Sequence, residues 1–256
     1  MSLILKNSLS SLSFSLLLHQ ETYDQLVTMP RKTSFDKRDW YFQGGHTKFT
    51  KAERDRFTLD EEGLYSTTHA DDAEHICKII AELPKISKEF LHRRPVITDA
   101  CACGGGNAIS FLCSELFEHV NVVELNSDRC SQHLRPNLAH VVSFRHPTTT
   151  YDVLNEDYLA IYQSLKQDVV FMDPPWGGTS YRQNVDIDLF LNNISVCDLS
   201  LDLVNKYCKY VVLKLPLNFD CKKLNASAAS LNCACIWHTL KKYYIAIVCE
   251  QSKPSV

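Results

Sequence analysis

The chain has 256 residues, 45% of them hydrophobic and 22% charged, which is ordinary for a globular protein that buries a core. A formal net charge of −3 gives no support for a protein that grips a long nucleic-acid duplex, but it leaves room for a small anionic target held by a few local cations. The 11 cysteines include no C-x-x-C pair and suit no metal site, so they predict reduced, mostly buried thiols in a nuclear or cytoplasmic chain. No run approaches the roughly 20 apolar residues of a membrane span, so no membrane partner is expected.

Residues 1–35 are Ser/Leu-biased with no clean period and predict a disordered tail. Lys6 followed by a Leu/Ser/Phe stretch faintly resembles a signal peptide, but serines dilute the apolar run. Met29 is a second candidate start. Residues 36–90 predict a small N-terminal helical lobe, with helices at Asp36–Tyr41, Lys51–Arg56 and Asp71–Leu83, the last stopped by Pro84.

Residues 91–256 alternate strand and helix, which predicts a parallel sheet with crossover helices. "PVITDA" is strand one, and a helix runs over Asn107–Phe117. "VNVVEL" is strand two, followed by a helix over Ser127–Leu134 with Ser127 as N-cap. "HVVSF" is strand three, and a helix covers Asp157–Leu165. "DVVFMD" is strand four, Ile187–Tyr207 holds one or two helices, and "KYVVLKLP" is strand five. "CACIWHTL" and "YYIAIVCE" flank Lys241–Lys242 and predict a hairpin that ends the sheet with an antiparallel strand.

Four motifs carry chemistry. In "VITDACACGGGNAISF" an apolar strand ends at Asp99 and runs through Gly104, Gly105 and Gly106 into a helix. Glycines there let the backbone approach a ligand beyond the strand's carboxyl end. Neither a phosphate loop nor the dinucleotide pattern G-x-G-x-x-G is present. Glu124, 25 residues after Asp99, is placed to accept both hydroxyl protons of a ribose. Asp157, in "NEDYL", is placed to cap a helix and to accept from an adenine amino group.

The fourth motif is "DVVFMDPPWGG". Two prolines fix the backbone after the strand and remove two N–H donors. Asp173 and the Pro174 carbonyl then suit an exocyclic amine, whose lone pair is delocalised and whose N–H groups need acceptors. Trp176 offers a flat face on which a base stacks, worth roughly 1–3 kcal/mol, with a cation–π term for a cationic base.

These segments, with "LDEEGLYSTTHADDAEHI" at residues 59–76, resemble the trimethylguanosine synthase family of RNA cap guanine-N2 methyltransferases over roughly residues 40–250. The resemblance implies a Rossmann-like class I methyltransferase sheet, an S-adenosyl-L-methionine cofactor and a capped RNA partner carrying 7-methylguanosine. It implies that Trp176 stacks on the cap base while Asp173 and Pro174 receive its amine. Glu124 holds the cofactor ribose, and Asp99, Ala100, Cys101, Gly105, Gly106 and Asn107 shape its pocket. Asp157 meets its adenine and Thr68 touches it from the lobe. Lys48, Lys51, Arg54 and Arg56 become candidates for the cap triphosphate. No metal is implied.

Three departures stand out. Cys103 occupies the place of the family's first glycine, Asp173 that of a serine, and Leu64 that of a tryptophan. Two alternatives stay open: methylation of adenine N6 or of guanine N2 inside RNA or DNA, and a cap- or cofactor-binding protein without catalysis.

Overall fold

A computed structural model describes residues 37–45, 47–83 and 92–251; the expected tail and the helix stop at Pro84 fall outside them. The first four helices are α1 (Lys37–Tyr41), α2 (Lys51–Arg54), α3 (Gly63–Ser66) and α4 (Ala70–Ala81). Thr50 and Glu53 close a reciprocal capping box on α2. Helix α4 buries Ala73, Ile76, Ile79 and Ile80 at helical spacing.

Next come β1 (Val96–Asp99), α5 (Gly106–Cys113) and β2 (His119–Val123). Helix α6 (Ser127–Arg129) continues through a π-turn at Cys130–Leu134 into α7 (Arg135–Arg145). The N-cap of α6 is Asn126, whose side chain accepts from the Arg129 N–H, and not Ser127. "HVVSF" is not a strand. It forms the last turns of α7, where Leu134, Leu138 and Val141 bury one helical face. The third strand is β3 (Thr150–Leu154), followed by α8 (Tyr158–Ile161), capped by Asp157.

Strand β4 (Val169–Met172) precedes a 3₁₀ turn at Gly178–Gln183. The Ile187–Tyr207 segment, expected to hold one or two helices, holds one, α9 (Val196–Lys206), after a short hairpin of β5 (Phe190–Leu191) and β6 (Ile194–Ser195). Then follow β7 (Tyr210–Pro216), an unanticipated α10 (Cys221–Ser230), β8 (Cys233–Thr239) and β9 (Tyr243–Glu250). The last two form the expected hairpin around Lys241–Lys242.

Seven strands lie in the order β3-β2-β1-β4-β7-β9-β8. Strands β1 to β4 and β7 are parallel, and β9 runs antiparallel between β7 and β8. The winding reverses between β1 and β4, so ligand chemistry belongs at their carboxyl ends. Both faces of the sheet are covered. In β4, Val169 and Phe171 enter one core and Val170 and Met172 the other, which accounts for the continuous apolar run.

Phe42, Phe49 and Phe57 join the first core beside Phe111 and Leu138. The N-terminal lobe therefore shares its core with the sheet. Among the described residues no helix is long and apolar enough to cross a membrane.

Candidate active site

The parallel register pairs Asp99 with Phe171, so β1 and β4 end side by side. Asp99 is fully buried, and burial together with nearby Asp173 pushes its carboxyl up to about 8. The chain turns immediately: the Ala100 N–H donates to the Phe171 carbonyl and the Ala102 N–H to the Val123 carbonyl, both at 2.9 Å. Cys101 and Cys103 are half-buried, and burial pushes the Cys103 thiol up to about 12. All 11 cysteines are free thiols, and six of them are half-buried, fewer buried than expected.

The glycine turn makes room for the lobe. A Cβ on Gly104 would meet Leu59 at 2.2 Å, and one on Gly106 would meet the Thr68 carbonyl at 2.8 Å. Gly105 caps α5 with φ of +93°. Cys103 takes φ of +51°, so the turn keeps a shape that glycine adopts without strain.

Glu124 is buried at the end of β2 and holds this turn closed. Its Oε2 accepts from the Cys103 N–H at 2.9 Å, and its Oε1 from the Asn126 N–H at 2.8 Å and from Arg129 at 3.4 Å. Burial raises its pKa, opposed by the Asn126 N–H, Arg129 and the Cys103 N–H. A carboxylate offers about four lone-pair sites, and three are filled. One lone-pair site therefore remains on Oε2.

Arg129 extends the network to the lobe, bonding Asp60 at 2.9 Å and also Glu62. Asn137 reinforces it by donating to the carbonyls of Thr58 and Gly104 at 2.9 and 3.0 Å. Asp157 caps α8 through the Leu159 N–H and accepts from the Asn192 side chain, each at 2.9 Å. Each of its oxygens keeps a lone pair for a further donor.

Across the switch point, Asp173 follows β4 and Lys214 lies in β7. Their ammonium–carboxylate distance is 2.7 Å. Burial raises the Asp173 pKa, and the Lys214 charge works against that rise. Lys214 also donates to Thr68 Oγ1 at 2.9 Å, which receives a second bond from Asn107 at 3.0 Å. A chain of contacts therefore runs from the helix after the glycine turn, through the lobe, to the acceptor side.

Trp176 is half-buried and packs against both cores. Tyr181 meets it edge-on at 5.2 Å between centroids, and the Lys214 ammonium lies 5.5 Å from its ring centre.

The four candidate phosphate-binding cations are not gathered here. Lys51 pairs with Asp55, Arg54 bonds Asp39 at 2.7 Å, and Arg56 lies over Phe144 at 5.2 Å. Phe144 lies in the last turn of α7, about 25 Å of helical rise from Ser127. Lys48 is exposed in a left-handed backbone conformation. Lobe acids and a lobe-facing ring occupy three of these cations, a pairing that local sequence does not reveal.

Arg129, Asn137 and Lys214 lie outside the sequence motifs. Only Lys214 leaves a trace, as a charge inside the apolar run "VVLKLP".

Among the described residues, the buried side-chain polar atoms without a hydrogen-bond partner are Thr67 Oγ1, both oxygens of Asp99, Asn107 Oδ1, Trp176 Nε1 and the Tyr243 hydroxyl. Such atoms are rare in folded proteins, and these surround the ends of β1 and β4. No cluster of three or more metal-binding side chains occurs among the described residues.

A family profile described as RNA cap guanine-N2 methyltransferase matches residues 94–251. An uncharacterized protein of Acanthamoeba polyphaga mimivirus is 29% identical over 190 residues, covering 67% of this chain and 71% of its own length. Trimethylguanosine synthase of Schizosaccharomyces pombe is 26% identical over 196 residues, covering 75% of this chain and 76% of its own. Among solved structures, a precorrin-6y C5,15-methyltransferase from Geobacter metallireducens is similar at 15% identity and a TM-score of 0.47, over 77% of this chain and 95% of that one. A ribosomal protein L11 methylase from Lactobacillus delbrueckii is similar at 12% identity and a TM-score of 0.45, over 70% of this chain and 80% of that one. With well over half of its length matched by one profile, the chain belongs to the RNA cap guanine-N2 methyltransferase family.

Proposed function

We propose that the chain methylates the exocyclic N2 of 7-methylguanosine in an RNA 5′ cap. The observation that carries this reading is the Asp173-Pro174-Pro175-Trp176 corner, where an acceptor carboxylate and a half-buried aromatic ring share the end of β4. Trp176 supplies the surface on which the base stacks. Asp173 and the Pro174 carbonyl accept from the two N–H bonds of the amine, which turns its lone pair toward the cofactor side. After transfer the nitrogen carries a positive charge, and Asp173 or water takes its proton. Rate enhancement here comes from positioning rather than from a strong base.

The residues present suit S-adenosyl-L-methionine. The Asp99 carboxyl and Asn107 Oδ1 are buried acceptors without a side-chain donor, and that cofactor brings hydroxyl, amino and ammonium donors. When bound it supplies a methyl group activated by a sulfonium. Asp99, Gly105, Gly106 and Asn107 would hold it, with Glu124 at one ribose hydroxyl, Asp157 at the adenine and Thr68 closing from the lobe.

The test is methyl transfer from radiolabelled cofactor to a 7-methylated cap dinucleotide, to the unmethylated cap and to uncapped RNA. Label in the first alone is the expected result. Label in uncapped RNA supports the internal-guanine or adenine reading, and label in none, with cofactor bound, supports a binding protein. Asp173→Ala is expected to lower kcat by about 100-fold or more, in the range of a lost proton acceptor.

A further inference from the structure

The Asp173–Lys214 pair has a physical job that the acceptor motif alone does not describe. Met172 pairs with Leu213 in the parallel register, so the next residues along the two strands, Asp173 and Lys214, emerge as neighbours. Both are nearly enclosed, with side-chain exposures of 13% and 9%. Every other residue of β7 is buried as well, so a lysine here stays only with a specific partner. In the resemblance drawn from sequence, the residue at 173 is a neutral serine, which needs no such partner.

We propose that Lys214 is a positioning residue: it holds Asp173 as a carboxylate, ties down Oδ2, and leaves the remaining lone pairs for the amine that receives the methyl group. The proposal rests on the reading of Asp173 as the amine's acceptor.

The groups around Asp173 explain why it needs help. Asp99 at the end of β1 is a like charge when ionised, and Cys101 lies in the turn behind it. Tyr243 of β9 and Asp72 of α4 bring a buried hydroxyl and a further carboxyl to the same region. Thr68 from the lobe adds a hydroxyl. Lys214 is the cation bonded to Asp173 among them. Without it, Asp173 would hold its proton and present a donor to a substrate N–H.

The pair also keeps the surroundings of Trp176 close to neutral. An unpaired ammonium 5.5 Å from that ring would repel a cationic base. Asp173 removes that penalty while Lys214 keeps Asp173 ionised, so each residue makes the other tolerable.

The experiment is a carboxyl titration of the 256-residue chain labelled with 13C at the aspartate carboxyls, the Asp173 resonance being assigned by its absence in Asp173→Asn. In Lys214→Met the Asp173 midpoint is expected to move up by about one to three pH units. Lys214→Arg is expected to keep the wild-type midpoint. Lys214→Gln, which keeps a donor without the charge, replaces the Met variant if that fails to fold. An unchanged midpoint in the uncharged variant overturns the proposal. This readout needs no substrate, so it stands even if no cap is methylated.

The kinetic counterpart is the pH profile of kcat, whose acid limb should move up in Lys214→Met. Asp173→Ser should lose preference for the 7-methylated over the unmethylated cap by about 5-fold or more, within the range of one cation–π contact. Asp173→Ser with Lys214→Met should regain it. A double variant no more selective than the single one overturns the coupling.

Discussion

The two halves of the site treat their carboxylates in opposite ways. On the β1–β2 side, Glu124 meets three donors, two of them backbone N–H groups. On the β4–β7 side, Asp173 has the Lys214 ammonium and keeps part of its surface open. Backbone donors fix a carboxylate wherever the turn folds, so Glu124 is a clasp for the loop. Side-chain donors, the Lys214 ammonium and the Thr68 hydroxyl, fix the charge and position of Asp173 while leaving other lone pairs available. The first arrangement suits a group that must stay put, and the second a group that must receive a proton.

The harshest way to break the cofactor half is Arg129→Met. It strips the buried Glu124 of its cation and releases Asp60 and Glu62, and is expected to cost about 3 kcal/mol, near the low end for opening a buried pair. Chemical denaturation measures it. A loss under about 1 kcal/mol would mean that the two N–H donors hold Glu124 alone.

Asp99 offers the next test, because no cation faces it and the nearby backbone N–H groups of Cys101 and Ala108 do not offset its burial. Its folded-state pKa is raised from 3.8 to about 8, so ionisation opposes folding. Its contribution is fully present below about pH 4 and is lost as pH rises toward about 8, at up to about 1.4 kcal/mol per pH unit. The melting temperature of the ligand-free chain should therefore fall across that window more steeply in wild type than in Asp99→Asn. Cofactor binding in the same window should release a proton, read by calorimetry in buffers of different ionisation enthalpy.

The acceptor half is probed by Trp176→Ala. It is expected to weaken binding of a 7-methylated cap by about 1–3 kcal/mol while leaving cofactor affinity within about twofold. The smallest effect is Cys103→Gly, which relieves a left-handed residue and should stabilise the chain by about 1 kcal/mol. If stability falls instead, packing by the Cys103 side chain outweighs its backbone strain.

The sequence shows some features well and others poorly, and the reasons are physical. The buried strands β1, β2, β4 and β7 and the final hairpin stand out because both their faces are apolar or their turn is short and polar. Strand β3 is an edge, half exposed, and "TYDVL" carries too little apolar signal to announce itself. "HVVSF" misleads because β-branched residues favour strands, yet Val141 continues the helical stripe begun at Leu134 and Leu138. Helix α10 hides because it buries little beyond Leu224 and Ala228.

The site divides similarly. Asp99, Glu124, Asp173 and Trp176 are strand-end residues, and their places follow from topology. Asn137 and Arg129 act on the lobe across the core, and Lys214 acts across the sheet. Those contacts exist only after tertiary folding, so no local pattern carries them.

The glycine turn that receives Leu59 and Thr68 has a consequence for synthesis. Thr58 finds Asn137 at a separation of 79 residues, and Thr68 finds Lys214 at 146. Closing such distant contacts is slow compared with forming local ones. The lobe therefore completes its seat only after β7 has been made. Its apolar residues, Phe42, Phe49 and Phe57, lack their core partners until the segment through Leu138 exists.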